Sequence, residues 1–267
     1  MPETFLCALS DDDDLMSYIL AIDSGNSYIK WGLYVDNLWI KKGKVLYSEI
    51  STLKEEFSDL PRPTLVIISH VARVITRSQL DMLVSIWSTR THWVVAEAFQ
   101  CGVLNGYANP AQLGSDRWAA LIAAWEIRHH ACLVINVGTA VTIDALSNSG
   151  EFLGGIIMPG IHLMFNSLLS GTQLIRADTG SYRIFPQNTN DAIQSGVVQC
   201  LVGAIERMYN LLSLQQDHPV ETCIMSGGGA SSLMPFIEIP VTMVENLVLE
   251  GLVMITNDLR LNKGYSF

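Results

Sequence analysis

The chain is built from short apolar runs bounded by Gly, Asn, Asp or Pro, most of them too short for helices, and these read as strands. Residues 18–22 are the first run and residues 28–35 the second. Residues 37–44 form a hairpin region leading into a strand at 45–48. A short helix is expected over 51–58 with Glu55 and Glu56 outward, and Pro61 and Pro63 then interrupt regular structure. Thr64-Leu65-Val66-Ile67-Ile68-Ser69 is apolar at successive positions, as in a strand covered on both faces of a parallel or mixed sheet. Residues 78–88 read as helix and 91–95 as strand. An antiparallel opening meander followed by strand and helix in alternation indicates an α/β fold.

Residues 102–113 read as a loop, marked by Asn105-Gly106 and Asn109-Pro110. The next helix, 117–128, carries Trp118, Leu121, Ile122 and Trp125 on one face. The opening theme then returns: strand 133–137, strand 140–146, a turn at 147–150 and strand 152–158. Pro159-Gly160 precedes a helix over 161–169. Residues 179–184 are irregular or a short strand, and 190–214 form a long helix with Ile193, Val197, Leu201 and Ile205 as its stripe. A strand at 222–225 ends in Ser226-Gly227-Gly228-Gly229, and a strand near 241–243 precedes a closing helix over 247–257. The expected organisation is a leader over 1–17, a first α/β domain over 18–129 and a second over 130–267.

Composition narrows the chemistry. Apolar residues make up 49% and charged residues only 16%, which implies extensive buried surface and leaves room for a subunit interface. The net charge of −10, with no basic cluster larger than Lys41-Lys42-Gly43-Lys44, argues against nucleic-acid binding, which needs several cations to displace counterions. A small anionic substrate is compatible, because Mg²⁺ and a few backbone N–H groups neutralise it locally. The five cysteines show no metal or disulfide spacing. Asp11-Asp12-Asp13-Asp14 stands where a signal peptide would need basic and then apolar residues, and no apolar stretch is long enough to span a membrane, so a cytoplasmic location is expected.

Two turns share one pattern. Asp23-Ser24-Gly25-Asn26-Ser27 joins the first two strands, and Asn136-Val137-Gly138-Thr139 joins the first two strands of the second half. A glycine in such a turn lets backbone N–H groups approach a phosphate, hydroxyls beside it add donors, and Asp23 suits a Mg²⁺ ion held through water. The same residues would also serve an ordinary hairpin with an Asx turn. Ser226-Gly227-Gly228-Gly229 removes side chains from a turn against which a flat ring could lie, or simply supplies a flexible connection. It is closer to the adenine site of a two-domain ATPase than to a Walker loop, whose Gly-x-x-x-x-Gly-Lys-Ser/Thr is absent from the sequence. Asp116, in Leu113-Gly114-Ser115-Asp116-Arg117, either caps its helix or acts as the carboxylate that deprotonates an acceptor hydroxyl. Arg117 could hold an anionic acceptor.

These segments, with Tyr107-x-Asn109-Pro110, Gly154-Gly155-Ile156-Ile157-Met158-Pro159-Gly160 and Asn188-Thr189 ahead of Ala192 and Gly196, stand in the order found in one family. Over residues 18–257 the chain resembles the type III pantothenate kinases. The resemblance implies two ribonuclease-H-like domains of the actin, hexokinase and Hsp70 superfamily, with mixed central sheets and ATP between them. It implies a homodimer that completes the pantothenate site. It puts Asp23, Ser24, Gly25, Asn26, Ser27, Tyr28, Ile29 and Lys30 in the first ATP loop, with Asp23 at Mg²⁺. Thr139 would meet phosphate, and Gly227 and Gly228 the nucleotide. Tyr107, Gly114, Ser115, Asp116, Arg117 and Thr189 would surround pantothenate, with Asp116 the general base.

At Asn136 the sequence departs from the family, which has Asp there as a ligand for a monovalent cation such as K⁺ or NH₄⁺. The missing charge implies a weaker cation site. The rival reading is a non-catalytic transcriptional accessory protein of the same family.

Overall fold

The computed structural model describes residues 17–72, 74–171, 180–216 and 220–263. Apart from Ser17, the expected leader lies outside the described residues. The first sheet opens with β1 (Ile19–Ser24), β2 (Tyr28–Val35) and β3 (Leu38–Leu46), an antiparallel meander. Asp36 and Asn37 take positive φ of 47° and 62°, so the β2–β3 connection is a two-residue hairpin and the expected hairpin region is mostly strand. Residues 47–52 are a 3-10 turn rather than the end of a strand; it leads into α1 (Leu53–Ser58). Next come β4 (Leu65–His70), α2 (Val74–Val84) and β5 (Arg90–Trp93). The sheet order is β3-β2-β1-β4-β5, with β4 parallel to β1. Leu65 to Ile68 are buried at every position, as a central strand requires.

The second sheet consists of β6 (Phe99–Gln100), β7 (Val103–Asn105), β8 (Cys132–Val137), β9 (Ala140–Leu146), β10 (Glu151–Pro159), β11 (Cys223–Ser226) and β12 (Val241–Met243). Its order is β12-β11-β8-β9-β10-β7-β6. The part β10-β9-β8-β11-β12 repeats β3-β2-β1-β4-β5 strand for strand, with the same antiparallel and parallel pairings. Sheet membership changes between β5 and β6, well before residue 129. The segment expected as a loop over 102–113 therefore contains β7 and a 3-10 turn at Pro110–Gln112. β7 exists because Leu104 and Asn105 pair with Glu151 and Phe152, a contact distant in sequence.

The helices of this half are α3 (Ser115–Arg128), α4 (Ile161–Gly171), α5 (Thr189–Gln215), α6 (Ala230–Leu233) and α7 (Leu247–Lys263). Residues 180–188 carry no regular structure. Helix α3 packs against β4 of the first sheet, β8 and β9 of the second, and α7, which also covers β1 and β4. One apolar core joins Ile19, Ile67, Trp118, Val134, Ile224 and Leu252. Ala119, Ala120, Ala123 and Ala124 allow α7 to come close: a Cβ on Gly251 would lie 1.8 Å from the Ala119 carbonyl oxygen. Buried Trp118 donates its indole N–H to Gln100 (3.0 Å), whose amide donates to Asp258 (3.2 Å), which ties β6, α3 and α7 together. Burying a large side chain contributes roughly 1.5–3 kcal/mol, so this shared core stabilises the junction between the two sheets. Among the described residues no helix is long and apolar enough to cross a membrane.

Candidate active site

The repeat makes Asp23 and Asn136 counterparts. Each is the fifth of six residues in its strand. Asp23 pairs with Lys30 and Ser69 on its neighbours, and Asn136 with Thr142 and Ser226. Both strands end in a glycine turn: Gly25 N–H donates to the Tyr28 carbonyl (3.2 Å) and Gly138 N–H to the Ala140 carbonyl (3.0 Å). The two turns meet, since Ser27 Oγ lies 2.7 Å from Thr139 Oγ1. Asn26 and Tyr28 are exposed beside that contact, Lys30 is half-buried, and Ile29 points into the core.

The third turn wraps around the second. Gly227 has φ of 103° and sits so close that a Cβ would lie 2.4 Å from the Val137 oxygen, while Gly229 N–H donates to that same oxygen (3.0 Å). Around Gly228 a Cβ would meet nothing within 4 Å, which leaves the open approach a flat ring needs. Gly160, ending the segment from Gly154, packs so closely that a Cβ there would lie 2.2 and 2.6 Å from the Gly138 and Thr139 carbonyl oxygens, and it donates its N–H to the Thr139 carbonyl at 2.9 Å.

Ser24 faces inward. Its hydroxyl is fully buried, 2.6 Å from Tyr47 Oη and 2.9 Å from His70 Nδ1, so it anchors the turn from beneath. Asp23, the residue before it in β1, faces the opposite side of the strand, and its Oδ1 is buried without a hydrogen-bond partner among the described residues. Burial and the negative charge of Asp116 push its carboxyl up to about 7, with Lys30 opposing. A buried carboxylate oxygen lacking a donor suits a hydrated divalent cation, so Asp23 fits the Mg²⁺ that accompanies a nucleotide. No group of three or more His, Cys, Asp or Glu that could hold a metal ion occurs among the described residues.

Asp116 occupies the first turn of α3, where Gly114 is the N-cap and no side chain caps the helix. Its Oδ1 accepts the Arg117 N–H at 2.8 Å and lies 2.6 Å from where a Cβ on Gly114 would be. Burial raises its pKa, and the helix N–H groups and Arg117 hold the rise in check. Ser115 Oγ docks this turn onto β4, 2.9 Å from Ser69 Oγ and accepting the His70 N–H at 3.0 Å.

Arg117 turns away from solvent. It donates Nε–H to both oxygens of Asp144 (3.2 and 3.1 Å), Nη2–H to Asp144 Oδ1, and Nη1–H to Tyr107 Oη at 3.1 Å. Burial works against its charge, but Asp144 and Tyr107 together hold its pKa above the ordinary value. Tyr107 packs against Phe152 with ring centroids 5.3 Å apart and the rings tilted by 42°. Gly155 passes under this pair: a Cβ there would lie 2.0 Å from Asp144 Oδ1 and 2.6 Å from the Ile143 oxygen. Asp144 had no assigned role on sequence grounds, although a charged residue in the apolar run of β9 requires a partner once buried. Tyr47 and His70 gave no such signal.

Thr189 lies apart from these contacts. It begins α5, whose N-cap Asn188 accepts the Asp191 N–H at 2.9 Å, and it lines a groove of about 820 Å³ with Met164, Leu168, Ile193 and Gly196. Neither Asp23 nor Asp116 lines that groove. The structure thus gathers Asp23, Ser27, Thr139, Gly228 and Asp116 around two meeting turns, joins Tyr107 to Arg117, and puts Thr189 on the α4–α5 side.

Solved structures similar to this chain include a Campylobacter jejuni protein described as a Baf family transcriptional activator, 21% identical with a TM-score of 0.60, covering 92% of this chain and 100% of the other. MreB5 of Spiroplasma citri, bound to ADP, is 10% identical with a TM-score of 0.52, covering 94% and 99%. At these identities the likeness concerns the fold alone, which is that of the actin-like ATPases. The type III pantothenate kinase of Nitrosomonas eutropha is 48% identical over 245 residues, 91% of this chain and 95% of the relative. The sequence model of the type III pantothenate kinases matches residues 19–211. With a family match over most of its length and a relative this similar across nearly all of it, the chain belongs to the type III pantothenate kinase family.

Proposed function

We propose that the protein transfers the γ-phosphoryl group of ATP to the primary hydroxyl of pantothenate, giving 4'-phosphopantothenate, the first step of coenzyme A biosynthesis, in the cytoplasm and as a homodimer. One observation carries the assignment of roles: Asp23 and Asp116 approach closely enough that the charge of one raises the pKa of the other, beside two glycine turns joined by Ser27 and Thr139. The turn residues 23–27, with Tyr28, Ile29 and Lys30 behind them, receive the phosphates. Thr139 donates from the second turn, and Gly227 with Gly228 forms the face for adenine. Asp23 would hold the Mg²⁺ that accompanies the nucleotide, which would neutralise charge on the phosphates.

Asp116 accepts the proton of the pantothenate hydroxyl as its oxygen bonds to the γ-phosphorus and the bond to the bridging oxygen breaks, releasing ADP. A carboxylate with a raised pKa is a better proton acceptor than an exposed one. Arg117 uses three of its five donors on Asp144 and Tyr107, which fixes the guanidinium and leaves two N–H groups for the acceptor's carboxylate. Gly114 and Ser115 set the helix turn that carries Asp116, and Thr189 contributes from the α5 side. A monovalent cation, K⁺ or NH₄⁺, would sit near Asn136 with less electrostatic hold than an Asp provides. A purely regulatory role is not favoured, because it would leave the buried Asp116 and the fixed Arg117 without use.

The test is ATP consumption with pantothenate set against pantetheine, acetate and simple sugars. Pantothenate should be the preferred acceptor, and Asp116→Asn should lose about 10²–10⁴-fold in kcat while binding ATP as the unaltered protein does. Turnover of Asp116→Asn at the unaltered rate would remove Asp116 as the base.

A further inference from the structure

We propose that His70 is a positioning residue for ATP: its imidazole, acting through the Ser24 hydroxyl, holds the turn over residues 23–27 in the conformation that receives the phosphates. This rests on the reading of that turn as the ATP loop. Ser24 is the last residue of β1 and is fully buried. It is held at three points, by Tyr47 Oη at 2.6 Å, by His70 Nδ1 at 2.9 Å, and through its carbonyl by the Val71 N–H at 3.1 Å. A serine hydroxyl has one hydrogen, so it accepts in at least one of the two side-chain contacts, and both its neighbours have a role to fill. Tyr47 is further bonded to Thr76, which continues the chain of hydroxyls into α2. Ser27, at the other end of the turn, is tied to Thr139 and accepts the Tyr47 N–H through its carbonyl at 3.3 Å, while Gly25 and Asn26 between them have no side-chain hydrogen bond among the described residues, so Ser24 is the anchor on the β1 side of the turn.

His70 is itself fixed. Its ring meets Trp93 edge to face with centroids 5.7 Å apart, and its backbone N–H donates to Ser115 Oγ. The residue at the end of β4 therefore touches the phosphate turn with its side chain and the first residue of α3, next to Asp116, with its backbone. Replacing the side chain breaks the first contact and keeps the second. That asymmetry predicts an effect on ATP and not on the acceptor.

His70→Phe keeps an aromatic ring against Trp93 and removes the bond to Ser24. It should raise KM for ATP about five-fold, the size expected for one hydrogen bond, with KM for pantothenate changed less than about two-fold. His70→Asn, whose amide can replace Nδ1, should stay close to the unaltered protein. Ser24→Ala should reproduce the ATP effect, and adding His70→Phe to Ser24→Ala should add nothing, because the two act through one contact. An unchanged KM for ATP in His70→Phe, a larger loss in His70→Asn than in His70→Phe, or additive effects in the double variant would each overturn the proposal and leave His70 as a packing residue. Asp23→Ala is measured alongside. If it leaves ATP handling unchanged, the turn is not the ATP loop and the proposal falls with that reading; if it weakens ATP while His70→Phe does not, only the role of His70 fails.

Discussion

Ser27 Oγ and Thr139 Oγ1, from turns that repeat one another in the two halves of the chain, lie 2.7 Å apart. On the proposed reading of these turns as the phosphate site, a phosphate oxygen inserted there would take both hydroxyls as donors. Such an exposed hydrogen bond contributes only about 0.5–1.5 kcal/mol to folding, whereas donors aimed at a phosphoryl group act on charge. Thr139→Ala should therefore lower kcat/KM for ATP about ten-fold or more and move Tm by only a few degrees. Steady-state kinetics beside a thermal melt check this. A melt that falls sharply with unchanged kinetics would make the contact a structural latch.

Asp23 gives a pH signature that does not depend on turnover. Its pKa is 3.8 in an ordinary setting and about 7 in the fold, where burial and Asp116 both disfavour the charge. Between those values the folded protein keeps a proton that the unfolded chain has lost, so this residue's contribution makes stability fall as pH rises from about 4 to about 7. Without Mg²⁺, Asp23→Asn should be more stable than the unaltered protein at pH 8, by up to a few kcal/mol, and the gap should close towards pH 5. Chemical denaturation of both proteins at the two pH values measures it, and a gap that widens towards acid would contradict the assigned sign.

The buried pair Arg117–Asp144 should be intolerant of losing one member. Asp144→Asn removes the charge opposite a buried guanidinium, which costs about 3–5 kcal/mol when a buried pair is broken. It also frees the arginine from the orientation that Tyr107 and Asp144 impose, so KM for pantothenate should rise more than KM for ATP. Gly155→Ala should behave alike, since its Cβ would meet Asp144 Oδ1 and the backbone oxygen of Ile143, which cannot give way easily. Denaturant midpoints and the two KM values decide the matter; a Gly155→Ala protein with unaltered stability would refute the packing.

The repeat was legible because it is local: an apolar run, a glycine turn and a second run specify β1–β2 and β8–β9 without reference to the rest of the chain. Asp116 was legible for the same reason, as a carboxylate in the first turn of an amphipathic helix. What remained hidden depends on adjacency of distant strands. The contact of Ser24 with His70 exists because β4 lies parallel to β1, and β7 joins the second sheet because Glu151 and Phe152 offer it an edge. Arg117 could be assigned to an anion from its type, but that two of its donors go to Asp144 and a third to Tyr107 follows from the packing of α3 on β9.

Asn136 carries the prediction about cation use. It occupies the place in β8 that Asp23 occupies in β1, so Asn136→Asp would put a second carboxylate at the mirrored end of the cleft. With Asn there, a monovalent cation at this position would meet a side-chain dipole in place of a charge, and an ion–dipole contact is weaker than an ion pair of the same length. The unaltered protein should therefore turn over at a rate that changes little as K⁺ is titrated at constant ionic strength, whereas Asn136→Asp should acquire a saturable rise with K⁺ and with NH₄⁺ but little with Na⁺. A carboxylate at 136 without a cation would also repel the phosphates, so the variant's rate in the absence of K⁺ should lie below that of the unaltered protein. A strict K⁺ requirement in the unaltered protein would show that backbone and hydroxyl oxygens around Asn136 suffice to hold the ion.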